Sequence, residues 1–164
     1  MAFIGVIGEK QEFELIKNNL IKDMNKNELT LININKKSIE NLQRVKFATI
    51  VVLNSLEKLL DENISLNNIC RNIKYFIINS DLDIKQNPFW NISCNVITFG
   101  LNQKSTVTYS SITDETMLIS VQRDFETEKK EHVEVGDYSI KIDKNDRTNL
   151  HEILVKFILE KLYY

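Results

Sequence analysis

Two observations predict an α/β fold of three layers, a mainly parallel sheet flanked by helices with antiparallel strands in its C-terminal half. In the first half, short and wholly apolar runs alternate with segments of helical period. In the second half, brief segments of two-residue alternation follow one another at hairpin spacing. A chain of 164 residues is the size of one ordinary domain, long enough to bury roughly two-thirds of its unfolded surface. No linker, repeat or low-complexity stretch divides it, so residues 1–164 are read as a single domain.

Phe3 to Ile7 is a short apolar run ended by Gly8, and reads as a buried strand. A helix is predicted from about Lys10 to Met24, with Phe13, Ile16, Leu20 and Met24 on one face. Leu29–Ile34 is a second strand, and Ser38 is placed to cap a short helix ending near Arg44. Phe47–Leu53 is rich in β-branched and apolar residues, as strands buried on both faces are. Helical signal returns between Ser55 and Arg71, in two pieces broken near Asn63, and Tyr75–Ile78 is a fourth buried strand.

The loop from Leu82 to Ser93 holds the only proline, Pro88, beside Phe89 and Trp90, an aromatic pair that either pins the loop or marks a partner surface. Strand candidates then follow at 95–99, 105–112, 116–122, 132–135 and 138–142. Gly136-Asp137 suits a two-residue type II′ hairpin turn. Met117, Ile119, Val121, Val133 and Val135 mark one face for burial. A last helix is expected from Thr148 to Leu162, with Leu150, Ile153, Leu154, Phe157, Ile158 and Leu162 as its apolar stripe.

The charge balance excludes several partners. The net charge is −2 with both signs interspersed, and the basic pairs Lys36-Lys37 and Lys129-Lys130 are isolated, so no nucleic-acid stripe is present. No apolar run reaches the length of about 20 residues that a membrane span needs. Cys70 and Cys94 lack metal-knuckle or CxxC spacing and are expected to be reduced core residues of a cytoplasmic protein.

The chemistry of the known motifs is also missing. A dinucleotide fingerprint counted from Gly8 would require glycine at Lys10 and Phe13. Gly8-Glu9-Lys10 is too short to wrap a phosphate as a P-loop does, and Glu9 would repel the phosphate. The two histidines, His132 and His151, stand outside any catalytic motif. Asp81 and Asp83 follow the fourth strand, where open parallel sheets bind ligands, although aspartates there also cap loops. Asp61-Glu62 and Glu126–Glu131 read as solvated turns.

One order of segments is familiar. Ile77-Ile-Asn-Ser-Asp81, then Val96-Ile-Thr-Phe-Gly-Leu-Asn102, then Thr106–Ile112, resembles the central domain of the Mur ligases. That family carries a V-x-N-x-D-D strand end, a V-x-[TS]-[YF]-G strand and an alternating strand in this order. Residues 143–149 are similar to an eroded G-x-H-N-x-x-N segment, in which Thr148 and Asn149 fit while Asp143, Asn145 and Asp146 replace Gly, His and Asn. Ile4–Gly8 is similar to the family's first strand with the P-loop cut away. Asn33 and Asn35 stand on the strand that in the family carries a metal-binding Glu, and Leu56 and Glu57 lie where an Asp-His is expected.

The resemblance implies an ATPase-like core without its phosphate loop, metal ligands and catalytic His, hence no ligase activity and no required cofactor. Asn79 and Asp81 match positions near the nucleotide's base and ribose, and with the loop after Gly8 they form the candidate residual nucleotide site. The expected role is a non-catalytic binding or regulatory module with a protein partner or a second copy of itself. The alternatives are a weak nucleotide or small-ligand binder and a self-associating structural protein, the last motivated by the apolar end Ile158, Leu162, Tyr163 and Tyr164.

Overall fold

A computed structural model describes residues 2–23, 29–54, 66–82, 93–142 and 149–164. The fold is α/β with a mainly parallel main sheet, and its antiparallel strands come from the C-terminal half. Contacts group the chain into two compact units, one of Met1–Ile78 with Leu82–Val96 and one of Asn79–Asp81 with Ile97–Tyr164.

The first unit is built on β1 (Ala2–Ile7), β2 (Leu29–Ile34), β3 (Thr49–Val52) and β4 (Tyr75–Asn79, its last residue counted with the second unit), all parallel in the order β4-β3-β1-β2. Among the described residues three helices lie between them: α1 (Lys10–Asp23), α2 (Ile39–Leu42) and α3 (Leu66–Ile69). The order reverses after β2, so right-handed crossovers put α1 on the face opposite α2 and α3. Burial agrees with cover on both faces. Ile7, Ile34, Ile50 and Val52 pack with Ile39 of α2 and with Leu66 and Ile69 of α3. Their strand neighbours Ile4, Val6, Val51 and Ile77, which point the other way, are equally buried. Two buried faces leave no polar side for a strand to show, which is why Ile4–Ile7, Ile50–Leu53 and Tyr75–Ile78 read as apolar runs.

The second unit holds β5 (Asn95–Phe99), β6 (Val107–Ile112), β7 (Thr116–Val121) and β10 (Gly136–Lys141), in the order β10-β7-β6-β5. β5 and β6 run parallel through Phe99 and Val107, and the other two pairs are antiparallel. β8 (Phe125–Glu126) and β9 (His132–Val133) form a separate small ladder. α4 (Leu150–Tyr163) packs on β6. Of its expected stripe, Ile153, Leu154, Phe157, Ile158 and Leu162 are buried and Leu150 is half-buried, and Glu152, Val155 and Leu159 are buried as well.

Several expectations need correction. Gly136 and Asp137 are not a hairpin turn. They begin β10, opposite Val121 and Ser120 of β7, because β9 pairs with β8 and not with β10. Val135, freed of that hairpin, is exposed, whereas Met117, Ile119, Val121 and Val133 are buried as expected. Glu126 lies in β8 rather than in a solvated turn. Ser38 stands at the start of α2 without donating or accepting a side-chain cap bond there. Its hydroxyl instead accepts from Asn35 N–H at 2.9 Å and is 3.1 Å from the Asn33 carbonyl, so it closes the turn before the helix. The expectations for Met24, Asn63, Asp61-Glu62, Asp83, Pro88-Phe89-Trp90 and Asp143–Thr148 lie outside the described residues.

Candidate functional site

In the first unit, strand order reverses between β1 and β3, and a parallel sheet opens its ligand crevice at the carboxyl ends of such a pair. Gly8 follows β1 there, and Leu53-Asn54 follow β3. A helix begins at once after Gly8, so its first amide groups are the natural anion donors of the crevice. A side chain already answers them. Glu12, in the first turn of α1, accepts the Glu9 N–H at 2.7 Å through Oε2 and the Asn54 side-chain amide at 2.8 Å through Oε1.

This is the carboxylate half of a capping box, with its charge at the favoured end of the helix dipole. Gly8 makes room for it: a Cβ on Gly8 would stand 3.0 Å from the same carboxylate and 2.9 Å from Leu53. The loop is tied from the other side by Asn33, whose amide donates to the Gly8 carbonyl at 3.2 Å and is itself bonded by Asn35 at 2.7 Å. The asparagines of β2 and the turn after it thus hold the loop in place.

Asn79 and Asp81 belong to the second unit, so the structure brings these two together and places Gly8 in the other unit. Asn79 is buried and its Oδ1 accepts the Asp81 N–H at 2.9 Å, turning the chain out of β4. The Asp81 carboxylate then receives three donors: Leu101 N–H at 2.7 Å, Asn102 N–H at 3.2 Å, and His151 Nε2 at 3.0 Å from the start of α4. His151 sets its ring edge-on to the buried Phe99, with centroids 5.9 Å apart. Gly100 permits this clamp, having φ of +157° and a Cβ position only 2.8 Å from the carboxyl atoms of Asp81.

Burial pushes the Asp81 carboxyl upward. The Leu101 amide, the hydrogen bond and charge of His151, and the Asn102 amide together outweigh it and hold the group below its ordinary value of 3.8. A carboxyl whose value is lowered by folding stabilises the native state above its unfolded value, and loses that contribution as pH falls through the folded one. Asp81→Asn should therefore be less stable than the parent at neutral pH, with the gap shrinking below pH 3.8. Urea midpoints of both chains across this range check it, and a gap that widens in acid would contradict the clamp.

The remaining candidates do not assemble. His132 lies 3.5 Å from Asp124 with both side chains exposed. Cys70 is buried beside α3, where desolvation first and Cys94 second push its thiol up to about 12, and burial raises Cys94 too. Burial thus disfavours the thiolate form of both. Among the described residues no three His, Cys, Asp or Glu side chains are grouped to hold a metal ion, and no helix is long and apolar enough to cross a membrane.

Sequence reasoning missed Glu12 and His151 as partners. Glu12 stands three residues after Glu9, a capping-box spacing hidden by the absence of Ser or Thr at the cap. His151 is 70 residues from Asp81, beyond any local pattern. No protein-family model and no curated protein matches the chain.

Proposed function

We propose that this chain is a non-catalytic binding or regulatory module, built on a scaffold like the central domain of the Mur ligases with its nucleotide crevice closed from within. The observation that carries this reading is Glu12, whose carboxylate occupies the amide and side-chain donors at the head of α1. A phosphate arriving there would meet the charge of Glu12, a repulsion of about 1–4 kcal/mol at 4 Å between water-like and surface dielectric. It would also have to displace charge-assisted hydrogen bonds worth about 1.5–3 kcal/mol each. A neutral or basic residue at this position would have carried neither cost.

The reading of Asn79 and Asp81 as a residual nucleotide site has less support. The carboxylate of Asp81 is engaged by two backbone amides and a histidine, so a ribose hydroxyl would have to compete with three donors already in place. Activity then rests with a partner, either another protein or a second copy.

Titration with ATP and magnesium tests the proposal. The expected result is no phosphate release and no ATP-dependent amide NMR shift at residues 8–13 or 79–81. Turnover, or saturable shifts at those residues, would overturn it.

A further inference from the structure

The opposite end of the first unit's sheet carries a feature of another kind. The segment leading from α2 into β3 and the one leading from α3 into β4 border a cleft of about 350 Å³ at the amino ends of those strands. Gln43, Arg44, Lys46, Asn68, Arg71 and Asn72 line it, over a floor of the buried Phe47 and Ile69. Among the described residues, three cations and three neutral amide side chains face one space, and no carboxylate lines it.

Arginines just after a helix ordinarily answer its last carbonyls. Here Arg44, Lys46 and Arg71 make no hydrogen bond or ion pair with any described residue, and Gln43, Arg44, Lys46, Asn68, Arg71 and Asn72 are exposed. Three like charges held together repel one another, on a chain whose net charge is −2. Such an arrangement is relieved by an anion, and a positive concavity focuses field onto one. Two guanidinium forks match the oxygens of phosphate bidentately, and the amides add neutral donors around them. The volume lies at the small end of the range for small-molecule sites, near 300 Å³.

We infer that the cleft between the β3 and β4 approaches binds a small phosphate-bearing molecule through Arg44, Lys46 and Arg71. This site shares no residue with the crevice at Gly8, and neither needs the other. Amide NMR spectra of the full chain, titrated with inorganic pyrophosphate at low ionic strength, provide the test. Saturable shifts confined to residues 43–47 and 68–72 are expected, and R44Q/R71Q should weaken the apparent affinity about tenfold or more. R71K, which keeps the charge and loses the fork, should weaken it in part and serves if the double variant fails to fold. K36Q/K37Q removes the same charge elsewhere and should leave the titration unchanged.

Absent or unsaturable shifts would overturn the inference. So would equal weakening in R44Q/R71Q and K36Q/K37Q, which would mean diffuse charge attraction. A short single-stranded oligonucleotide acting at a concentration at least about tenfold lower than pyrophosphate, per phosphate, would overturn it in favour of a nucleic-acid surface.

Discussion

A Phe157→Asp chain should lose about 4 kcal/mol or more of unfolding free energy, a large share of what a domain has to lose. Phe157 is 4% exposed on α4, its ring 5.4 Å from that of Tyr138, with the Lys161 ammonium 5.1 Å and 5.6 Å over the two rings. Truncating a buried Phe costs about 3–5 kcal/mol through lost contacts and cavity. The carboxylate adds the expense of burying a charge, which the nearby Lys161 offsets only in part because its side chain reaches toward solvent. Phe157→Leu keeps most of the volume and should cost about 1 kcal/mol. Urea unfolding followed by circular dichroism separates the two. The same comparison bears on self-association: if Phe157→Asp were fully folded and only less associated, the apolar face of α4 would be an interface and not a core.

Gly100→Ala is expected to cost about 2–3 kcal/mol, out of proportion to one methyl group. Part of the loss is conformational, since φ of +157° is a backbone state that residues with a Cβ rarely adopt. The rest is a collision, because the new Cβ would lie 2.8 Å from the carboxyl atoms of Asp81, and moving that group breaks bonds to Leu101, Asn102 and His151. The two parts can be separated. In an Asp81→Ala background the collision is gone, so Gly100→Ala should cost less there, leaving only the conformational part. Equal costs in both backgrounds would mean that the clamp contributes nothing to the penalty.

The strands of the first unit were legible because burial on both faces writes itself into composition: in Thr49–Val52 every residue is buried and β-branched, and three of the four are aliphatic. α4 was legible for a related reason, its stripe being broad enough to outvote local ambiguity. β8 was not, because a strand of two residues carries no periodicity at all, and of the strand expected at 132–135 only His132–Val133 is one, in β9. The same brevity misplaced the turn at Gly136-Asp137, where a favourable dipeptide was outweighed by pairing with β7 along the whole of β10.

The candidate site divided in the same way. Asn79 and Asp81 lie two apart and could be singled out together, whereas the donors that fix Asp81 lie 20, 21 and 70 residues along the chain. Polar contacts across such separations are set by topology, and no spacing rule reports them.

The β8–β9 ladder also constrains the order in which the second unit assembles. A pair of strands this short has too little surface to persist alone. It is held by the turn between them, where the Glu128 N–H donates to the Leu162 carbonyl at 3.0 Å and the Lys129 ammonium donates to the Tyr164 carbonyl at 2.9 Å. Those carbonyls exist as fixed acceptors only after α4 has been wound through its last turn. The ladder is therefore expected to close after the helix end and to open before it, and hydrogen exchange faster at Phe125–Val133 than along α4 would show that order.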